Sequence, residues 1–323
     1  MSLDCFLNII SGLGMFLYGM RQLSDSLEHF AGNEIYNKLH NATKTPLKGV
    51  MLGAGVTGII QSSTATTLMT VGLVNSGIMN IYEALAVIMG ANIGTTVTGQ
   101  LLRLGDLSKN HPVFRFLKPS GFAPFFLLFG TVQKLFFKRT EYRQSSDIFI
   151  GLGILFLGME IMENGIKPLS QSEEFCNMFL NFKNPFIAII FGAAVTALLQ
   201  SSSVSIGILQ SLTVTNAITF SAAVPIILGM NIGKVLPEFI ATLGTNKNTT
   251  RTILTDLMVN VTGVGIVYFI IYTTETFFDI PFWNTTATKS MIANFHTVFN
   301  VFTTCALLPF YKKFISISQK IIR

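Results

Sequence analysis

Gln61-Ser62-Ser63-Thr64-Ala65-Thr66-Thr67 interrupts one apolar, glycine-rich run, and Gln200-Ser201-Ser202-Ser203 interrupts another. The two stretches are copies. Gly12-Leu13-Gly14 matches Gly151-Leu152-Gly153, and Val56-Thr57 matches Val195-Thr196. Gly90, Asn92, Ile93 and Gly94 match Gly229, Asn231, Ile232 and Gly233. The offset is 139 residues throughout (from 61 to 200, from 92 to 231). One register held across so many Gln, Asn and Gly positions indicates an internal duplication.

Composition sets the solvent. Of 323 residues, 50% are hydrophobic and only 12% are charged, with a mean hydropathy of +0.56. That is too little charge to cover a soluble domain of this size. Apolar stretches recur at 3–18, 121–137, 148–162, 186–199, 259–272 and 298–310. Barrel-type alternation is absent, so these read as membrane helices. The first stretch lacks a basic leader and has a copy mid-chain, so it reads as retained structure rather than a signal peptide. The formal net charge of +6 rests on Lys and Arg in short connections such as Lys134, Lys138, Arg139 and Arg143. This pattern fits membrane topology, not nucleic-acid binding. Cys5, Cys176 and Cys305 have no metal-binding spacing.

The segments flanking each Gln-Ser-Ser break are about 12 residues long, against the roughly 20 needed to span. Each pair therefore reads as a hairpin that enters the membrane and returns. Three crossings per copy then place the second copy upside down, the plan of many secondary transporters. The expected fold is an all-α polytopic membrane protein with two inverted-topology repeats, each holding a re-entrant helical hairpin and a broken helix. Residues 1–140 form repeat 1, 141–280 form the inverted repeat 2, and 281–323 add a C-terminal transmembrane helix and a short tail. The helix breaks are expected at Gly90–Gly94 and Gly229–Gly233, where glycine permits unwinding and freed carbonyls could hold a cation.

The breaks carry the chemistry. Hydroxyls and carboxamides donate to an anion and also offer oxygens to a hard cation. A helix starting just after each break directs free N–H groups and its positive dipole end at the same spot. Two such tips make a neutral cage for a small tetrahedral oxyanion. Ser and Thr in membrane helices also bond back to the preceding turn or join helices. The matched duplication favours the binding site.

With these motifs the chain resembles the type II sodium–phosphate cotransporters and their bacterial relatives, over about Gly12 to Pro309. Paired Gln-Ser-Ser motifs, each followed by Gly-x-Asn-Ile-Gly, carry the likeness. The resemblance implies a sodium–phosphate symporter of the inner membrane, multi-pass, with no cofactor beyond sodium as the coupling ion. Phosphate would be held by Gln61, Ser62, Ser63, Thr64, Gln200, Ser201, Ser202 and Ser203. Sodium would be held by Thr66, Asn92, Thr95, Ser205 and Asn231. His296, Phe299 and Asn300 resemble a further element of the family. Inorganic phosphate, sodium and the lipid bilayer are the expected partners; a homo-oligomer is compatible with such a chain.

Two departures stand out. Lys234 replaces the hydroxyl expected opposite Thr95, with Glu238 one turn later. Either the two neutralise each other along the helix, or the ammonium substitutes for one sodium ion. The other departure is the C-terminal PhoU-like domain of many bacterial relatives, expected here to be missing or supplied by another protein. Rival functions are transport of arsenate or sulfate, and a non-transporting anion sensor. An intramembrane serine hydrolase is a remoter rival, since two symmetric serine clusters do not suit one nucleophile.

Overall fold

Pro46 and Pro185 open the two helices that lead into the Gln-Ser-Ser breaks, each at a position where a missing N–H costs nothing. In chain order the helices are α1 (Pro46–Ile60), α2 (Ser63–Asn75), α3 (Ile81–Leu104), α4 (Pro119–Phe136), α5 (Ser145–Ile154), α6 (Pro185–Leu199), α7 (Ser202–Leu212), α8 (Phe220–Gly233), α9 (Val235–Ala241), α10 (Lys247–Phe277) and α11 (Lys289–Leu307). A 3-10 turn at Leu308–Phe310 then leads into α12 (Tyr311–Ile321). The computed structural model describes residues 45–60, 62–104, 119–137, 145–154, 184–213, 218–278 and 280–323, with isolated residues within 6–43 and 157–165. Gln61, Cys5, Cys176, Lys138, Arg139, Arg143 and much of the first apolar stretch lie outside them. Among the described residues there is no strand, only an isolated bridge between Thr219 and Thr286.

Matching positions make matching contacts. α1 lies against α3, and α6 against α8. A Cβ on Gly90 would stand 2.0 Å from the carbonyl oxygen of Val50, and one on Gly229 would stand 1.9 Å from that of Ile189. Gly94 and Gly233 press in the same way on Ala54 and Ala193. Backbone touches backbone along both pairs, an approach only glycine permits.

The glycines therefore do a different job from the one read in the sequence. α3 runs unbroken through Gly90–Gly94, so no carbonyl there is freed for a cation. Absence of a Cβ serves close packing rather than unwinding. The second copy is interrupted only at Lys234, between α8 and α9, where the hydrogen-bond ladder loses a rung while the backbone stays helical (φ −62, ψ −29). The cause is Pro237, which has no N–H to give Gly233, four residues back, and whose ring crowds that carbonyl.

α3 and α8 form the centre, with Leu85, Ile88, Met89, Ile226, Ile227 and Leu228 enclosed. Large apolar side chains also face outward: Leu128 on α4, Ile190 on α6, Phe269 on α10 and Val298 on α11. In water such a surface is a liability; against lipid it is the solvent-facing surface. Ile81–Gln100, Phe220–Ala241, Lys247–Phe277 and Lys289–Ile321 are long and apolar enough to cross a bilayer. Composition, spans and surface together make this a helical membrane protein.

A polar clasp ties the end of one copy's hairpin to a helix of the other. Asn246 caps α10 by accepting from the Thr249 amide at 2.9 Å. Its side-chain amide donates to the Asn75 carbonyl at 2.9 Å, and its backbone N–H donates to Asn75 Oδ1 at 3.2 Å. The last residue of α2 is thereby tied to the start of α10.

Candidate functional site: two hairpin tips and a buried charge cluster

At the first break Ser62 is extended and its Oγ accepts from the Ala65 amide at 3.2 Å, capping α2. At the second, Ser201 Oγ accepts from the Val204 amide at 3.3 Å. This serine capping covers one orphan amide in the first turn of each helix. The amides of Ser63 and Thr64, and of Ser202 and Ser203, come too early in their helices for an intrahelical acceptor. Gln200 ends α6 in the left-handed region (φ 52), with its N–H on the Thr196 carbonyl at 2.8 Å. It is the only non-glycine with positive φ among the described residues. That conformation reverses the chain without a glycine.

Each hairpin is stapled by a buried pair of hydroxyls. Thr57 Oγ1 donates to Thr66 Oγ1 at 2.9 Å, and Thr196 Oγ1 donates to Ser205 Oγ at 3.0 Å. Thr66 and Ser205 pass their own protons back to the Ser62 and Ser201 carbonyls, both at 3.1 Å. These two residues, expected as sodium ligands, hold the hairpin arms together with one proton and one lone pair each. Gln200, Ser62, Ser201 and Ser203 are half-buried, whereas Ser63, Thr64 and Ser202 are buried.

The arms pack crosswise. α2 lies on α9 and α10 of the second copy, while α7 lies on α3 and on α11. Between them sits a cluster that the sequence reading only half anticipated. Lys234 Nζ donates to Asn92 Oδ1 at 2.8 Å and approaches Asn231 Oδ1 at 3.5 Å. The two asparagines do converge, around an ammonium. Asn231 Nδ2 is anchored on the Ile227 carbonyl at 2.9 Å, which leaves its oxygen for Lys234. Thr95 stays out of this group and bonds back to the Ala91 carbonyl at 3.0 Å.

Asp256, on α10, completes the cluster and was not read from the sequence. It is 1% exposed. Asn260 Nδ2 donates to its Oδ1 at 3.0 Å, and the Asn92 side chain also approaches the carboxylate. The available signal was Asp256-x-x-x-Asn260, an ionisable group one turn from an amide inside a membrane-length helix. Glu238 is 2% exposed. The Thr64 and Thr67 hydroxyls of α2 face its carboxylate, yet its Oε2 has no hydrogen-bond partner. The Lys234 ammonium donates to Asn92 and lies within reach of the charges of both Asp256 and Glu238. His296, Phe299 and Asn300 are all buried on α11. Asn300 Nδ2 bonds to the His296 carbonyl at 2.8 Å, while His296 Nδ1 is without a partner.

Comparison with known proteins agrees with this arrangement of paired motifs. The family model described as Na+/Pi-cotransporter matches residues 15–164 and again 165–299. The chain is 29% identical over 297 residues to "Uncharacterized protein YqeW" of Bacillus subtilis, covering 91% of each. It is 23% identical over 319 residues to "Putative inorganic phosphate export protein YjbB" of Escherichia coli K12, covering 98% of this chain and 56% of that protein. The chain thus spans little more than half the length of the YjbB relatives. It is 31% identical over 111 residues to human "Sodium-dependent phosphate transport protein 2B", which covers 33% of this chain and 16% of that protein. No solved structure matches.

Proposed function

The chain belongs to the Na+/Pi-cotransporter family, a family of transporters and not of enzymes, and from that premise we propose that it is a secondary active symporter for inorganic phosphate and sodium. The observation that carries this reading is the matched pair of hairpin tips. Two serine-capped helix starts, 139 positions apart, each leave early amides and hydroxyls at a half-buried bend. Such starts favour an anion by both hydrogen bonding and dipole. Gln61, Ser62, Ser63 and Thr64 from one tip, and Gln200, Ser201, Ser202 and Ser203 from the other, would enclose the phosphate.

The finer architecture belongs to the same proposal. α1 and α2 have 15 and 13 residues, and α6 and α7 have 15 and 11. At 1.5 Å per residue each reaches about 16–23 Å, short of the roughly 30 Å hydrocarbon core. Re-entrant hairpins follow, with three crossings per repeat and inverted repeats at 1–140 and 141–280. An inner-membrane, multi-pass location fits this plan. The relatives named for sodium-dependent phosphate transport and for phosphate export support the cargo. Sodium coupling draws on the hydroxyl and amide oxygens near the tips. At Asn92 and Asn231 the Lys234 ammonium takes a place a sodium ion would otherwise fill. Replacing Lys234 by Thr is expected to add one sodium per phosphate.

The test is phosphate uptake into proteoliposomes with and without a sodium gradient. Wild-type flux should be sodium-dependent, and Ser62→Ala and Ser201→Ala should each lower it at least tenfold. Equal flux in choline would refute the coupling. Preference for sulfate over phosphate in counterflow would refute the cargo. Anion binding without flux would make the protein a sensor.

A further inference from the structure

α12 carries charge that the fold does not use. α11, the helix before it, has 19 residues, about 28 Å at 1.5 Å per residue, which nearly covers the roughly 30 Å hydrocarbon core. With the 3-10 turn and α12 the run reaches 33 residues, about 50 Å, so α12 begins where the core ends. Tyr82 and Tyr311 meet edge to face at that level, with ring centroids 6.3 Å apart, as aromatic side chains do at a membrane–water boundary.

The helix presents three faces. Tyr311, Ile315 and Ser318 are buried against α10 and α3. Ser318 Oγ accepts from Thr255 Oγ1 at 2.9 Å, and the Ile322 carbonyl accepts from Arg251 Nε at 3.0 Å. These two bonds fix the rotation of the helix and turn Lys312, Lys313, Lys320 and Arg323 outward, all exposed. Among the described residues none of these four forms an ion pair. Lys312 and Lys313 stand in the first turn, where the helix dipole disfavours cations, so α12 itself does not account for them. The third face is apolar: Ile317 and Ile321, one turn apart, are exposed, with Phe310 before them. Lys313 Nζ rests 5.3 Å from the centre of the Phe310 ring, an ammonium and an apolar side chain at one boundary.

We propose that α12 lies in the headgroup layer and that Lys312, Lys313, Lys320 and Arg323 bind the headgroups of anionic phospholipids. Charge selects an anionic surface, and the apolar flank selects a lipid one. Phe310, Ile317 and Ile321 continue the lipid-facing surface of α11, where Val298 and Phe302 are exposed, and enter the acyl boundary beside the cations. A soluble acidic partner would match the charge and leave that flank in water. Clustered Lys and Arg on an amphipathic helix next to a span hold anionic lipid in this way. The inference does not depend on which anion the protein carries.

The test is a titration of dioctanoyl phosphatidylglycerol into the purified full chain in maltoside micelles, read as the rise in melting temperature. Inorganic phosphate is kept saturating, so that the hairpin tips do not report. Wild type should bind phosphatidylglycerol at least about tenfold more tightly than dioctanoyl phosphatidylcholine. The triple variant Lys312→Gln, Lys313→Gln, Lys320→Gln should lose most of that preference. Lys320→Gln alone should lower it about fivefold, and covers the case in which the triple variant does not fold. An unchanged preference in the folded triple variant or in Lys320→Gln would overturn the proposal. So would wild type with no preference, the result expected if a soluble partner used this face. Displacement of the lipid by further inorganic phosphate, beyond that by chloride at equal ionic strength, would make the cations a free-anion site and would overturn it as well.

Discussion

Gly99 and Glu238 hold matching places in the two copies, and the side chains around them differ. At Gly99 the facing hairpin arm presents Ile206; at Glu238 it presents Thr64 and Thr67. One turn earlier, Thr95 bonds back to its own helix, whereas Lys234 reaches across to Asn92. The frames that carry these residues are nearly identical. Gly90 and Gly229 press on Val50 and Ile189 at 2.0 and 1.9 Å, and both hairpins are stapled by hydroxyl pairs near 3 Å. Backbone packing has kept the twofold pattern, while the side chains at the seam have moved apart. A symmetric scaffold thus carries an asymmetric charge arrangement.

The sharpest way to break that contrast is to remove the ammonium. Lys234→Met leaves Asp256 and Glu238 buried without their cation, and the expected loss is about 3–5 kcal/mol. Thermal unfolding in detergent should show it, more in choline than in sodium. Adding Asp256→Asn should recover much of the loss. The corresponding change in the first copy, Thr95→Val, removes only a back-bonded hydroxyl and should cost about 1 kcal/mol.

The next effect probes the frames themselves. Gly90→Ala and Gly229→Ala each force a methyl into a carbonyl oxygen and should destabilise by about 3 kcal/mol, as overpacking does. Similar shifts in melting temperature for the two would support the shared plan; a large shift in one only would show that the halves are unequal in packing as well as charge.

The smallest effect concerns the caps. Ser62→Ala and Ser201→Ala should each cost about 1 kcal/mol of stability. Their effect on flux should far exceed that, because in the proposed site the same hydroxyls would also face the anion. Melting curves and transport measured on the same preparations separate the two contributions.

The helical membrane class and the duplication were legible because both are written in repeating residue types. Gly, Asn and Ser at fixed spacing survive as pattern even when their roles differ between copies. The role of Gly90 and Gly94 was not legible: a missing Cβ permits either unwinding or backbone contact, and only the presence of α1 against α3 decides. The missing rung beside Lys234 could have been read from Pro237, which acts four residues back. Lys234 and Glu238 suggested a local pair by spacing alone, but the ammonium went to Asn92, 142 positions away in the chain. Asp256 escaped notice although Asn260 stands one turn on in the same helix; its link to Lys234 and Asn92 comes from other helices, and no spacing within α10 names them.

The Asn246 clasp has a mechanical corollary. With the end of α2 knotted to the start of α10, the first hairpin cannot slide along that helix without cutting at least two polar links at the exposed end of the helix. Hairpin one is thereby coupled to the long helix of the opposite half, as α7 is coupled to α3 by the Gln210 side-chain amide on the Gly99 carbonyl at 3.1 Å.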